Sequence, residues 1–537
     1  MKLLLSVILY LLAFYANAQV AINPDGSRPH PSAMLDVKSV NKGFLPPRLS
    51  FDAIHAIPNP ALGLMVFDTT FRNVKVFNGS RWVTLGQEHS NPGGAYGQFA
   101  LYAEMDRGEI HPKKVAADSW GNVYTAGYFY NTVNFGNITL TSLNNAADMY
   151  VAKYDKNGVA LWAKKFGGTS LDMFTALTVY ANQDVFVGGE FASSSITVNN
   201  EVFYNTGGQD VLFMKLTPQG DVSWAKKTVS NGNTYLNDLA IDIAENVYTV
   251  GYCIGTYMGY YDFPYQNNSA PGSSEAYITK TSSGGVTKWC KFFQGSGDDV
   301  INGVATYGNA VYATGDFTSP TLGINNVSLT NASTSRDIFV CKLDTVSGNT
   351  LWAQRFGGGF YEIARDIAVN YLDGTMYILG HFLTGATNIG STTLANKGDV
   401  DGMLITISPS LQVNAYAINS PSTDYMDEIV YNYPYLYLNA TISNPTTLSV
   451  INRDFPLRPT AFGDEVVIRL NATNPFNTID SWLEQHGCAN HDESGGIAVG
   501  VSTNSIYTAG FATTGPVYFN GLVQTKAGYY LWRHMPQ

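Results

Sequence analysis

Three groups of residues in this chain have types that could do chemistry. The first is HGCANHDE, residues 486–493, where His486, Cys488, His491, Asp492 and Glu493 are all zinc-ligand types. Their spacing matches no known zinc site, and alignment with FGGTSLD at 166–172 makes the segment a link between strands, so no metal is assigned. The second is an acidic series, Asp172, Asp299, Glu362, Asp424 and Asp492, each just ahead of an apolar stretch. A carboxylate there either caps backbone N–H groups of its own loop or joins the others in a ring that holds a cation such as calcium. The third is a slot that always follows a glycine and holds Tyr128, Glu190, Tyr252, Asp316 and His381, with Phe511 in the last copy. Unlike side chains at one fixed slot are how a repetitive scaffold presents a ligand-binding face. Glu190 and Asp316 are also carboxylates of the kind a hydrolase or lyase pairs.

What positions these groups is a repeat. Trp162, Trp224, Trp289 and Trp352 stand 62, 65 and 63 residues apart, so LWAKKFGG at 161–168 and LWAQRFGG at 351–358 are three periods apart. The strand VYTAGYF at 123 recurs as VFVGGEF (185), VYTVGYC (247), VYATGDF (311), MYILGHF (376) and IYTAGF (506), and YLYLNA at 435 fits the same slot with Asn439 in place of glycine. An acid five before a base recurs in DMYVAK (148), DVLFMK (210), EAYITK (275), DIFVCK (337) and DEVVIR (464). Each period reads as four short strands, A to D: an apolar strand, the glycine strand, the acid-to-base strand and the tryptophan strand.

Strands A and B read as nearly uncharged, while C and D carry lysines such as Lys153, Lys164, Lys165, Lys226 and Lys227. The expectation is an all-β, seven-bladed β-propeller over residues 100–537 with dry inner strands and wet outer ones. The C-terminal GYYLWRHMPQ supplies a C strand with no D strand after it, and ALYAEM at 100–105 resembles LWAKKF, so the N-terminal strand should complete the seventh blade and remove an open edge. The acidic series and the variable slot then share one face. The long B-to-C loops of that face, such as FGNITLTSLNNAAD at 135–148, are expected to carry function.

The phrase GG...D...DxxGNVYTAGxF...DxxVAKxDxxGxxLWA resembles the SBBP-type propeller repeat of exported bacterial proteins, which implies the same fold and specifies no ligand. Residues 19–86, with PSAMLDVKSVNKGFLPPRLS followed by GLMVFD, NVKVFN and RWVTLG, resemble an N-terminal module of Bacteroidota exported proteins and of phage tail fibres. A small meander acting as a spacer is expected there, then a linker at 87–99.

The chain opens with Lys2, an apolar run from Leu3 to Phe14 and Ala16-Asn17-Ala18, a secretory signal peptide over 1–18. That run is too short for a membrane span, which needs about 20 residues, and no later segment is apolar enough, so secretion or the cell surface is expected, with the periplasm still open. A net charge of −11 argues against nucleic acid as partner. ADSWGN at 117–122 lacks the alternating oxygen ligands of a calcium loop and reads as a β-turn. The four cysteines fall on different strands or blades, so no disulfide is expected.

No CxxCH or vicinal cysteine pair supports a quinoprotein-like enzyme, and no cofactor is assigned. The leading expectation is a non-catalytic propeller that binds a glycan or protein, monomeric as a propeller, with oligomerisation open to the N-terminal module. The alternatives are an extracellular polysaccharide hydrolase or lyase and a structural unit of a surface assembly.

Overall fold

The computed structural model describes residues 20–85 and 100–534 apart from short stretches, the longest being 473–481. The segment read as a signal peptide, the expected linker at 87–99 and Cys488 therefore lie outside the described residues. The chain divides into two compact units, Met1–Gly93 and Gly94–Pro536.

In the first unit Val20–Ile22 pairs in parallel with Leu35–Val37. Met65–Asp68, Asn73–Phe77 and Trp82–Leu85 form the expected antiparallel meander, joined at its edge by Arg48–Leu49. Val20, Ile22, Met34, Leu35, Phe44, Leu45 and Leu62 are all more than half exposed, so this unit by itself leaves much apolar surface uncovered.

The second unit is a β-propeller built from one antiparallel plan. In repeat 1, strands A to D are Gly108–Ala117, Val123–Phe135, Asp148–Tyr154 and Ala160–Phe166. The plan recurs from Asp172–Val179 to Val222–Ser230 (repeat 2), Asn233–Ile241 to Thr287–Gln294 (repeat 3) and Asp299–Tyr307 to Thr350–Phe356 (repeat 4). It continues from Tyr361–Val369 to Val413–Asn419 (repeat 5) and Asp424–Asn432 to Trp482–Gly487 (repeat 6). The last sheet contains Asp492–Gly500, Ser505–Ala512 and Gly528–His534, and its fourth strand is Ala100–Glu104. Leu531 pairs with Leu101 and Tyr529 with Ala103.

Strand A of each repeat packs beside strand A of the next, and Asp492–Gly500 packs beside Gly108–Ala117. The cores lie between sheets: one cluster joins Ile110, Val123, Phe129 and Tyr150 of repeat 1 to Tyr507, Tyr529 and Leu531 of the last sheet. Such face-to-face packing covers both faces of the middle strands, so Asp148–Tyr154, Val185–Phe191, Ser274–Thr281 and Ala310–Phe317 are buried at every residue.

The tryptophans that set the period are struts. Trp162, Trp224 and Trp289, on strand D, each donate their indole N–H to a carbonyl in the C-to-D turn of the next repeat: Pro218 at 3.0 Å, Ser283 at 2.9 Å and Thr345 at 3.2 Å. The glycine of each turn, Gly220, Gly285 or Gly348, has positive φ, and a Cβ there would stand 2.8–3.0 Å from the indole. The recurring turn-to-tryptophan phrase is therefore the signature of an inter-blade contact.

The structure departs from the expected plan in two places. The B-to-C segments fold as hairpins, and several extend the preceding sheet: Tyr257–Tyr260 pairs with Val222–Ser230, and Thr321–Ile324 with Thr287–Gln294. They latch neighbouring blades, because an outer strand D leaves an unpaired edge that a hairpin can cover. The inner strands are also not dry: strand A carries Lys113, Lys114, Asp238, Arg365, Asp366, Asp427 and Glu428. Cys253, Cys290 and Cys341 are free thiols, the first and last buried.

Candidate functional site

Charge reaches the lumen through a β-bulge. Each strand A slips register against its strand B near its middle, between Pro112 and Lys114, Phe174 and Ala176, Leu236 and Asp238, and at the matching place in the other repeats. The skipped residues are Lys113, Thr175, Asn237, Asn302, Arg365, Asp427 and, in the last sheet, Gly495 with Gly496. A bulge re-aims a side chain without breaking the sheet, and all but Gly495 of these residues line one cavity of about 510 Å³.

The residues one place further on form a charged waist. Lys114 Nζ lies 2.8 Å from Glu428 Oε1, with Asp238 and Asp366 beside it. Each carboxylate also takes a backbone N–H from the next blade: Asp238 from Val304 at 2.9 Å, Asp366 from Ile429 at 2.9 Å and Glu428 from Ile497 at 2.8 Å. Burial alone would lower the lysine pKa, but Glu428, Asp238 and Asp366 together hold it above its ordinary value. Burial raises Asp238 to about 6 and Asp366 well above the usual carboxylate range, Lys114 opposing both. Gly496 clears the way for this bridge, since a Cβ there would come 2.5 Å from Glu428 Oε2.

The variable slot after the strand B glycine sits one layer above the bulges, across from strand A. Glu190 lines the cavity, is 4% exposed and accepts Leu236 N–H at 2.7 Å. Burial raises it to about 7. Tyr252 stacks on Tyr235 with centroids 4.5 Å apart, and Tyr128 on His111 at 4.6 Å. Asp316 is buried, bonded to Asn302 at 2.9 Å and paired with Arg336. His381 is buried against Tyr425, and burial with the nearby Arg365 charge lowers it to about 3, so it is neutral at ordinary pH. Glu190 and the Tyr235–Tyr252 pair thus meet at the cavity, while Asp316 and His381 support its wall.

The acidic series caps loops. Asp172 takes N–H groups from Gly168 (2.8 Å), Ala192 and Ser193 (both 3.1 Å) and the Ser193 hydroxyl at 2.7 Å. Asp299 takes the Ser319 hydroxyl, Glu362 that of Thr387 and Asp424 that of Ser420, all at 2.6 Å. The side chain of Asp492 lies outside the described residues. Asp118 likewise closes its β-turn, accepting Trp120 N–H and Asn122 N–H at 2.9 Å. Within HGCANHDE, His486 is fully buried beside Glu465 and Glu484, and Cys488 and His491 lie outside the described residues. Among the described residues no three His, Cys, Asp or Glu side chains are placed so that they could hold a metal ion.

Sequence reasoning missed Lys114, Asp238, Arg365, Asp366, Asp427 and Glu428. The available signal was the unusual charge within strand A of repeats 1, 3, 5 and 6.

A family model described as a phage tail like trimerisation region matches residues 22–95. An uncharacterized WD repeat-containing protein of Acanthamoeba polyphaga mimivirus is 23% identical over a stretch covering 26% of this chain, and the chain spans 12% of that protein's length. Among solved structures, Kuenenia stuttgartiensis hydrazine synthase is similar at TM-score 0.39 and 9% identity, covering 76% of this chain and 96% of that one. The Neurospora crassa Pan2 WD40 domain is similar at TM-score 0.37 and 8% identity, covering 79% and 89%. Likeness at this level assigns neither an activity nor a ligand to this chain.

Proposed function

We propose that the chain is an exported, non-catalytic binding protein of the SBBP-repeat kind found in Bacteroidota. Its sheets form a seven-bladed ring closed by Ala100–Glu104, and the mouth of the lumen recognises a glycan or a protein. Closure is supported by the pairing of Ala100–Glu104 with Gly528–His534 and by the shared core of the first and last sheets. Export rests on the leader-like residues 1–18. The observation that carries the binding reading is the row of unlike polar side chains aimed by equivalent bulges into one cavity of about 510 Å³, a volume within the usual range of ligand sites. Thr175, Asn237 and Asn302 each donate to a carbonyl of the next blade, Leu236 O at 2.6 Å and Ile301 O and Ala364 O at 2.8 Å, and Arg365 and Asp427 depart from that pattern. Screening the full chain against combined glycan and protein arrays tests it: a binder weakened by Tyr252→Ala and Arg365→Met is expected, and no binder in either array contradicts it.

The N-terminal unit is a spacer through which copies associate, supported by its match to a trimerisation region and by its exposed Ile22, Met34, Leu45 and Leu62. A hydrolytic reading has one observation in its favour: Glu190 and Asp427, raised by burial to about 7 and about 6, share one cavity. Turnover of a polysaccharide that is lost in Glu190→Gln would establish it over the binding reading.

A further inference from the structure

The lumen is divided. The upper cavity of about 510 Å³ and a lower one of about 290 Å³, lined by Val115, Leu177, Leu239, Val304 and Ile367, have Lys114, Asp238, Asp366 and Glu428 as common wall. The Lys114–Glu428 bridge joins repeat 1 to repeat 6 across the glycines of the last sheet, and every carboxylate of this waist is tied to backbone of the next blade. A polymer cannot thread such a waist without breaking the Lys114–Glu428 ion pair and the carboxylate-to-backbone bonds around it. A ligand entering from above meets a floor.

The wall above that floor carries a guanidinium (Arg365) and a carboxyl (Asp427), beside two carboxamides (Asn237, Asn302) and a hydroxyl (Thr175) that donate to carbonyls of the next blade and keep oxygen lone pairs, with Glu190 above. Arg365 is exposed and makes no hydrogen bond or ion pair with any described residue, and among the described residues Asp427 accepts the Thr441 hydroxyl at 3.0 Å and feels the Arg365 charge. The wall carries both signs, cations at Lys113, Lys114 and Arg365 among carboxyls such as Glu190 and Asp427, so neither an ammonium nor a carboxylate ligand finds a cavity of one opposite sign. Neutral vicinal hydroxyls, which donate and accept at once, suit mixed planar groups of this kind. The Tyr235–Tyr252 stack stands one layer higher, where the Tyr235 ring, which also lines the cavity, can meet a further sugar.

We infer that the cavity receives the terminal, uncharged sugar of a glycan, held by Arg365 and Asp427 and stopped by the Lys114 waist, with the rest of the glycan leaving through the mouth. This rests on the binding reading above and names its ligand class. The test is an array of microbial and plant glycan fragments, probed with the full chain and with Arg365→Met, Arg365→Lys and Asp427→Asn, each checked for an unchanged melting curve. Expected are hits that share a terminal residue and vanish when another sugar caps it, weakened about tenfold or more by Arg365→Met and Asp427→Asn and less by Arg365→Lys. Hits that share an internal sequence whatever their ends overturn the terminal-sugar inference and leave the binding reading standing. Hits confined to a peptide array overturn the glycan assignment alone, and silence on both arrays overturns the binding reading itself.

Discussion

Lys114 and Glu428 are 314 residues apart in the chain and 2.8 Å apart in the fold. The pair joins repeat 1 to repeat 6, and Glu428 in turn holds Ile497 N–H of the sheet between them. Lys114→Met removes the cation that faces Glu428, Asp238 and Asp366 and leaves three carboxylates crowded in the lumen. Breaking a buried pair on one side costs about 3–5 kcal/mol. A urea titration should show a loss of that order, with an unchanged slope if the ring still unfolds as one unit.

The tryptophan struts predict a second asymmetry. Trp289 is 6% exposed and donates to Thr345 O, against the turn of Gly348. Trp289→Ala should cost about 3–5 kcal/mol through the cavity it leaves. Gly348→Ala should cost about 1–3 kcal/mol, because φ is +68° and the new methyl meets the indole at 2.9 Å. Thermal melts that separate neither variant from the parent would remove the strut from the account.

Glu190 is raised by burial to about 7 in the fold, from an ordinary value of 4.5. The folded chain therefore keeps a proton that the unfolded chain releases between about pH 4.5 and 7, so this group's contribution to stability falls as pH rises through that window. Glu190→Gln, which cannot ionise, should gain stability relative to the parent as pH goes from 5 to 8. Denaturation midpoints of the two proteins across that range give the comparison, and a constant difference would refute it.

Much of the fold was legible in the sequence and little of the site, for one physical reason. The Trp162-to-Trp224 spacing and the positive-φ glycines Gly220 and Gly285 recur because every blade must meet its neighbour in the same way. Asp238 and Asn237 also reach the next blade, at Val304 N–H and Ile301 O, but unlike residue types fill these places in the other repeats, where the side chains face the lumen as well. The bulge between Leu236 and Asp238 also shifts the two-residue period, so the alternation that assigns strand faces elsewhere fails where the chemistry sits. The acidic series recurs as faithfully as the tryptophans, and it has structural work: Asp172 holds three backbone N–H groups. Fidelity across repeats marked the frame, and departure from it marked the cavity.

The exposed Met34, Leu45 and Leu62 predict that residues 20–85 hold copies together. Light scattering of residues 19–537 should give a trimer, and deletion of residues 20–85 a folded monomer. A monomeric parent would contradict the association.

The ring itself is tested most directly by hydrogen exchange along Ala100–Glu104. Paired to Gly528–His534, its amides should exchange as slowly as those of the outer strand Thr350–Phe356, and deleting residues 93–106 should speed exchange in Gly528–His534 ahead of every other strand C. Amides at 100–104 that exchange as fast as free chain, with Gly528–His534 unaffected by the deletion, would contradict closure of the propeller by its N-terminal strand.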